Sequence, residues 1–325
     1  MKINRLTAEQ LRKSILQLAI QGKLVKQDPN DEPASKLIER IYQEKQKLIK
    51  EGKIKKDKQE SFIFKGEDNH YYEKIGKNIK DITEELPFEI PENWMWVRLK
   101  NISIINGGFA FKSSEFVSKE NGIRILRISD FDERGLKNNN IVYYKYESKM
   151  FDYFLNNKNI VICMTGGTVG KSLLIKELKE KILVNQRVGN IKILNEMLPD
   201  YVDIVMKSEL ISKIIRKNKN STNDNISIEL IKLFFIPVPS IEEQLKIIVK
   251  YNKLLTQLTL YKNIFPYIFL LYIPVNIWYL RFLVNKTIHF STLFYIKILN
   301  MLKNVKFLWI FTQLTLFMQL VLERP

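Results

Sequence analysis

The stretch NIVICMTGGTVGKSLLIKELKEKILVNQRVGNIKIL, residues 159–194, decides the fold class of this chain. Short runs rich in Ile, Val and Leu alternate in it with Gly and Asn clusters, and the string IRILRI further upstream has the same texture. Apolar runs of this length are typical of β-strands. We therefore predict strands at 123–128, 159–164, 172–175 and 189–194.

Helical spacing appears on both sides of these strands. After Pro199, one helix face can be formed by Val202, Val205, Met206 and Leu210. Near the amino terminus, a capping pattern at Thr7 and a stop signal at Gly22 bound one predicted helix, and a second is predicted at 33–52. Residues 52–91 show no clear period and predict an irregular linker. Helices around short strands together predict a mixed α/β (α+β) fold.

A second capping pattern begins the segment IPVPSIEEQLKIIVKYNKLL, residues 236–255. Ser240 and Glu243 stand three positions apart, as the two side chains of a capping box do. The residues that follow at 4-3-4-3 spacing form a seam with one polar member: Ile241, Leu245, Ile248, Asn252 and Leu255. This pattern predicts a coiled-coil-like helix whose seam contacts a partner or a second copy.

The composition narrows the possible classes of protein. The 325 residues include 52 Lys and Arg against 35 Asp and Glu, a net charge of +17, which favours nucleic acid or an acidic membrane surface as partner. Cys163 is the single cysteine and there are two histidines, so neither a disulfide framework nor a Cys/His zinc site can form. No long apolar run follows the amino-terminal basic residues, and we expect a cytoplasmic protein.

The string TGGTVGKS at 165–172 is similar to a nucleotide-binding phosphate loop, but its spacing is wrong. That loop needs a Gly five residues before the Gly-Lys pair, and Thr165 stands there. Two interpretations stay open. Either the amides of a glycine-rich turn, with Thr168 and Lys171, meet a nucleic-acid backbone, or the string is a plain hairpin turn.

Motifs for catalysis and cofactor binding are missing from the sequence. Glu177 and Lys179 lack the preceding Pro-Asp that a metal-dependent nuclease site would have. Neither an Asn-Pro-Pro-aromatic string nor a glycine motif for a methyl donor occurs. We therefore predict a non-catalytic chain that holds no metal and no cofactor of its own.

Two arginines and three tyrosines leave structural and DNA-binding interpretations open. Arg124 and Arg127 stand three positions apart in a predicted strand, which places them on opposite faces. A structural ion pair and a base contact are equally compatible with each. Tyr143, Tyr144 and Tyr146 could stack on nucleic acid, but an aromatic core is favoured.

Five strings occur in a characteristic order: IPENWMWVRL, GGFAFKSSEF, IRILRISDF, MTGGTVGK and IPVPSIEEQLKIIVKYNKLL. With these strings, residues 1 to about 257 resemble the specificity subunit of type I restriction-modification systems. The resemblance implies a mixed α/β target-recognition domain that reads half of a split DNA target. It also implies a spacer helix on which methyltransferase (M) subunits dock, beside a restriction/translocase (R) subunit. S-adenosylmethionine and ATP are expected on those partner subunits.

Carried onto this sequence, the resemblance divides the chain into four parts. A helical leader with its linker covers 1–85, the target-recognition domain 86–239, the start of the spacer helix 240–257, and an atypical apolar tail 258–325. The residues that we expect to bind DNA are Lys112, Ser113, Ser114, Arg124, Arg127, Gly166, Gly167, Thr168, Lys171, Arg187, Lys217 and Lys219.

The sequence also departs from the family. Full-length members have two recognition domains, whereas one is found here, so the chain is predicted to be a half-length subunit that could pair with a second copy. The tail is interpreted as frameshifted or otherwise degenerate. The alternatives are a dimerisation helix and a membrane anchor, since Asn263–Leu280 and Phe307–Leu322 are uncharged and approach the length of a bilayer span. A membrane-associated protein is thus the alternative function.

Overall fold

Seven α-helices lie in the part of the chain that the computed structural model describes, which is residues 8–57, 59–218 and 225–260. Their bounds are α1 Ala8–Ile20, α2 Ala34–Lys50, α3 Leu99–Ile102, α4 Pro199–Met206, α5 Glu209–Asn218, α6 Ile228–Lys232 and α7 at 241–260. The predicted helices near the amino terminus and after Pro199 are therefore present. Thr7, the predicted cap of the first helix, lies outside the described residues.

The same described ranges also contain fifteen short β-strands. Their bounds are β1 Ser61–Lys65, β2 Tyr71–Ile75, β3 Asn78–Asp81, β4 Met95–Arg98, β5 Ser103–Gly107, β6 Phe116–Val117, β7 Ile123–Leu126, β8 Phe131–Asp132, β9 Gly135–Leu136, β10 Tyr143–Tyr144, β11 Ile160–Cys163, β12 Ser172–Leu174, β13 Ile182–Val184, β14 Val188–Ile193 and β15 Phe235–Val238. The four strands predicted from apolar runs are confirmed as β7, β11, β12 and β14. The mixture of helices and strands confirms the predicted fold class.

Two four-stranded sheets form the centre of the fold. One has the order β12-β11-β14-β5 and is antiparallel throughout, and the other has the order β13-β7-β10-β6 with β13 and β7 parallel. The apolar side chains of both sheets meet in one buried cluster that includes Leu126, Val161, Cys163, Val184 and Val188. Burial of this cluster fixes the positions of the loops that connect the strands.

Residues 52–91 do not form the predicted irregular linker. They contain the antiparallel sheet β1-β2-β3, in which Phe64 lies opposite Tyr72. Alternate side chains of β1 and β2 are buried, among them Ser61, Ile63 and Glu73. The prediction was wrong because the inward positions include a serine and a glutamate, which hide the period of two that marks a strand.

Gly22 ends the first helix as predicted. Its φ is +69°, and Lys23 N–H donates to the carbonyl of Leu18 at 2.9 Å, the bond that closes a Schellman C-terminus. A β-carbon at Gly22 would lie 2.4 Å from Cγ of Pro91. Both the backbone conformation and this close approach therefore require glycine.

The start of α7 is held by a capping bond and by distant side chains. Glu243 N–H donates to Oγ of Ser240 at 3.0 Å, as the capping pattern predicts. The Glu243 carboxylate does not return to the backbone and instead accepts from Trp94 Nε1 at 2.8 Å and Gln27 Nε2 at 2.5 Å. Burial raises the pKa of Glu243, and these two hydrogen bonds oppose the rise.

The predicted seam is not the buried face of α7. The side chains of α7 that the fold buries are Glu243, Gln244, Ile247, Tyr251, Leu254 and Leu258. Of the seam residues, Leu245 is 52% exposed, Asn252 is exposed, and Ile241, Ile248 and Leu255 are half-buried. The seam therefore lies on a second face of the helix, where Val249 is also exposed.

The four-part division of the chain stays a prediction. Residues Glu9–Leu254 form one compact unit, so the expected boundaries at 85/86 and 239/240 both fall inside it. Within the described ranges, no helix has the length and apolar character that a membrane crossing needs. Both uncharged stretches of the tail lie outside the described residues. The interpretations of the tail therefore stay predictions.

Candidate nucleic-acid interface

Three loops meet at one end of the two central sheets. They comprise residues 107–111, 164–171 and 185–187, and backbone hydrogen bonds join them. Phe109 N–H donates to Val184 O at 2.8 Å, and Gln186 N–H donates to Phe109 O at 2.9 Å. Met164 N–H donates to Arg187 O at 3.0 Å. We call these three segments the loop surface.

Gly108 explains the double glycine in GGFAF. A β-carbon at this position would lie 2.2 Å from the carbonyl oxygen of Val184 and 2.3 Å from that of Asn185. Both atoms belong to the backbone, so they cannot move aside as a flexible side chain can. Glycine is therefore needed for the 107–111 loop to pack on the 185–187 turn.

The glycine-rich string forms the connection of a hairpin between β11 and β12. Gly166 and Gly170 have φ of +73° and +84°, conformations that favour glycine. Gly170 N–H donates to Cys163 O at 3.0 Å and Cys163 N–H donates to Lys171 O at 2.9 Å, which closes the hairpin. A strand follows the string where a nucleotide-binding loop would need a helix. The hairpin still exposes Gly166, Gly167 and Lys171.

The structure brings five of the expected DNA-binding residues together on the loop surface: Gly166, Gly167, Thr168, Lys171 and Arg187. Lys112, Ser113 and Ser114 directly follow the 107–111 loop and are exposed, with Lys112 Nζ 3.2 Å from Glu115. Lys217 is exposed at the end of α5. Lys219 lies outside the described residues. DNA contact by these residues stays a prediction.

Arg124 does not have the exposed position expected of a DNA-binding residue. Its side chain is 4% exposed, and its guanidinium donates to Glu180 at 2.9 Å and to the carbonyl of Lys137 at 2.6 Å. Arg127 makes two hydrogen bonds of 3.0 Å to the buried carboxylate of Asp130. Of the two interpretations of these arginines, the geometry favours the structural ion pair, because each guanidinium is already paired with a carboxylate of the protein.

The three tyrosines differ in their environment. Tyr144 is buried and packs on Phe111 at a ring distance of 4.9 Å. Its hydroxyl donates to Glu115, and this hydrogen bond raises the pKa of Tyr144 to about 12. Tyr143 is half-buried, while Tyr146 is 40% exposed and stacks on Phe154 at 5.6 Å. The aromatic-core interpretation fits Tyr144.

Gln186 is a candidate that the sequence reasoning missed. It lies between Asn185 and Arg187 in the turn from β13 to β14, and its side chain is exposed on the loop surface. Gln and Arg are side chains that make bidentate contacts with base edges. Three polar residues in a tight connection between apolar strands were the available signal. No group of three or more His, Cys, Asp or Glu that could hold a metal occurs within the described ranges.

Comparison with known proteins was consistent with these observations. The family model "Type I restriction modification DNA specificity domain" matches residues 91–265. The specificity subunit of the Escherichia coli type I restriction enzyme EcoAI is 34% identical over 255 residues, which cover 77% of this chain and 40% of the relative. The corresponding EcoEI subunit, also from Escherichia coli, is 28% identical and covers 73% of this chain and 39% of the relative.

A solved HsdS subunit from Thermoanaerobacter tengcongensis aligns with 55% of this chain and 41% of its own length, at a TM-score of 0.44 and 17% identity. Lys171, Gln186 and Arg187 are exposed on the loop surface of this mixed fold, and the family match gives the class of protein, a DNA specificity domain. The chain belongs to the type I restriction-modification DNA specificity family. It spans about 40% of the length of the curated relatives that it matches.

Proposed function

We propose that this chain is a sequence-specific DNA-binding subunit of a type I restriction-modification complex. It directs methyltransferase and endonuclease partners to their target and does no chemistry itself. The observation that carries the proposal is the loop surface, on which Lys171, Gln186 and Arg187 are exposed together. Base edges are read by Gln186 and Arg187, while cations such as Lys171 contact phosphates and fix the register.

Local charge, more than overall charge, supports DNA binding. Residues 81–255 contain 26 Lys and Arg against 22 Asp and Glu, a net charge of +4. An excess this small gives little long-range attraction to a polyanion. Affinity must therefore come from contacts concentrated on the loop surface, and a single recognition domain gives few of them.

The exposed face of α7 supports the assembly part of the proposal. Leu245 and Val249 are 52% and 67% exposed, and Ile241, Ile248 and Leu255 lie half-buried beside them. Apolar side chains grouped on a solvent-facing helix are typical of a protein contact. The M subunits dock on this face, or a second copy of the chain uses it to make a two-domain reader of a symmetric target. S-adenosylmethionine and ATP then bind to the M and R subunits.

The first prediction concerns DNA binding with and without the partner. The isolated chain is expected to bind duplex DNA weakly, and a cognate methyltransferase subunit is expected to add sequence preference, because one domain reads half of a split site. Gel shifts at one fixed salt concentration, on duplexes selected from a random pool, measure both states. Equal and sequence-blind affinity in the two states would contradict the proposal.

A second prediction separates the arginines of the loop surface from those of the core. Arg187→Ala is expected to weaken binding to the preferred duplex about tenfold or more, as loss of a base contact does, without a change in stability. Arg124→Ala is expected to lower the free energy of unfolding by about 1–3 kcal/mol, since it leaves polar partners unpaired. Gel shifts and urea unfolding are measured on both variants. Loss of DNA binding by Arg124→Ala at full stability would reverse the assignment.

A further inference from the structure

A small cleft lies between the glycine hairpin and the helices α4 and α5. Its volume is about 250 Å³, and its lining includes Gly166, Gly167, Lys171, Lys207 and Arg216. Pockets for drug-sized ligands and cofactors are usually about 300–1,000 Å³. The cleft is therefore small for a nucleotide, but one tetrahedral oxyanion with ordered water fits this volume.

The walls of the cleft are fixed by close packing. A β-carbon on Gly170 would lie 2.7 Å from Cδ1 of Ile215, which is buried on α5, so the hairpin lies directly against this helix. Apart from Gly167 itself and its two chain neighbours, no heavy atom lies within 4 Å of the position of a β-carbon there, so this backbone faces open space. The hairpin therefore presents bare backbone to the cleft while α5 holds the opposite wall in place.

The charges around the cleft favour an anion. Lys171, Lys207 and Arg216 line it, against one acid, Glu133. Glu133 is already neutralised by Arg12 at 2.8 Å. Lys171 makes no ion pair with any residue that the structure describes.

Two of the cleft cations do have internal partners. Lys207 pairs with Asp203 at 2.6 Å, and Arg216 pairs with Glu209 on its own helix. The Arg216 side chain is 59% exposed, so it keeps donors free for a ligand. Ser172 also lines the cleft and is 1% exposed, and its hydroxyl has no hydrogen-bond partner among the residues that the structure describes. A buried hydroxyl without a partner destabilises the fold, and a ligand oxygen that accepts a hydrogen bond from it would remove that cost.

We propose that this cleft binds one phosphate group of the DNA backbone, with Lys171 and Arg216 as ligands of the same phosphate. The inference rests on the proposed function and adds a defined subsite to it. A phosphate held between a hairpin of the central sheet and α5 would fix the position of the duplex relative to the loop surface. Gln186 and Arg187 would then meet the same base pairs in every complex.

The test is the salt dependence of DNA binding by the full chain. The logarithm of the binding constant falls against the logarithm of salt concentration by about 0.9 for each phosphate neutralised. The variants are Lys171→Ala, Arg216→Ala and the double variant, and the control is Lys192→Ala, which removes an exposed cation of β14 outside the cleft. If the two residues share one phosphate, the double variant is expected to lose about one unit of slope in total, and the control none.

Additive losses of about one unit from each single variant would mean two separate phosphates and would overturn the shared site. An unchanged slope in the double variant would overturn the proposal entirely, while DNA binding itself would still support the proposed function. Arg216→Lys is expected to restore the slope because it keeps the charge, a rescue that a merely structural arginine would not give.

A titration with inorganic phosphate separates the cleft from the proposed function. The NMR signals of the Gly166 and Gly167 amides are expected to shift and saturate in the wild-type chain and to stay unmoved in the double variant. If the shifts saturate but the chain binds no duplex, the result would support anion binding in the cleft and refute the DNA-binding function. Unmoved amides in the wild-type chain would overturn the phosphate site.

Discussion

Glu73→Ala is expected to lower the free energy of unfolding by about 3–5 kcal/mol, the usual cost of removing one partner from a buried ion pair. The carboxylate of Glu73 accepts from Nε and Nη2 of Arg98 at 3.0 and 2.6 Å. The side chains of Glu73 and Arg98 are 6% and 10% exposed, so the pair is largely shielded from water. Arg98 also donates to the carbonyl of Leu233 and lies 3.7 Å above the ring of Phe235.

The size of the effect follows from the position of the pair. Glu73 lies on β2 of the small sheet and Arg98 on β4, which pairs with β15, so the bond ties the segment 61–81 to the strands next to α7. Urea unfolding of Glu73→Ala measures the loss, and Lys74→Ala is the matched control, because Lys74 is the exposed neighbour on the same strand. A change below about 1 kcal/mol in Glu73→Ala would show that the small sheet does not depend on this pair.

The same pair has an expected pH dependence. Burial would raise the pKa of Glu73, but the hydrogen bonds and charge of Arg98 outweigh it and hold that pKa below the usual range. A carboxyl whose pKa is lower in the folded state stabilises the fold above its unfolded pKa and loses that contribution as the pH falls through the folded value. The difference in stability between wild type and Glu73→Gln is therefore expected to narrow at acidic pH.

Local sequence patterns predicted the elements whose buried positions are mostly apolar or whose ends are fixed by local hydrogen bonds. The strands β7, β11, β12 and β14 bury mainly apolar side chains, and Gly22 ends its helix with a local hydrogen bond. The sheet β1-β2-β3 was missed because Glu73 occupies an inward position. Its partner Arg98 is 25 residues away in the chain, and no window of sequence shows that the carboxylate is neutralised there.

The candidate interface was predictable in part for the same reason. The glycine string could be identified from the sequence because backbone positions with positive φ favour glycine. The proximity of Gly108 to the turn at 185–187, and thus the exposure of Gln186 beside Arg187, depends on pairing between distant strands. The ion pair of Arg124 with Glu180 spans 56 residues, so the choice between a structural and a DNA-binding arginine required coordinates.

The helix α7 shows how one sequence can contain two faces. The 4-3-4-3 seam through Leu245 and Ile248 was identified correctly as apolar, but the fold buries a different stripe through Ile247 and Tyr251. Glu243, which the sequence pattern assigns to capping, also lies in that buried stripe. Its carboxylate accepts hydrogen bonds from the side chains of Trp94 and Gln27. The residues that the structure describes leave Leu245 and Val249 exposed beside that stripe, which is why the proposal assigns this face to another chain.

Replacing both Leu245 and Val249 with Asp is therefore expected to abolish assembly through α7 and to leave the fold intact. The two side chains are one helical turn apart and 52% and 67% exposed, so carboxylates there are hydrated in the free chain. In an interface the same carboxylates would lose water without gaining partners, at a cost of several kcal/mol. Since about 1.4 kcal/mol corresponds to a factor of ten, the dissociation constant is expected to rise at least about 100-fold.

The buried neighbour on the same helix supplies the control that makes this result specific. Ile247 is 0% exposed, so Ile247→Asp is expected to unfold the chain, whereas the double variant is expected to keep the wild-type melting curve by circular dichroism. Light scattering measures self-association of the full chain, and co-purification measures docking of a methyltransferase subunit. If the double variant retains both at wild-type level, α7 is not the assembly surface and the two-copy reader fails. If it loses self-association alone, the seam pairs two copies and the methyltransferase subunit docks elsewhere.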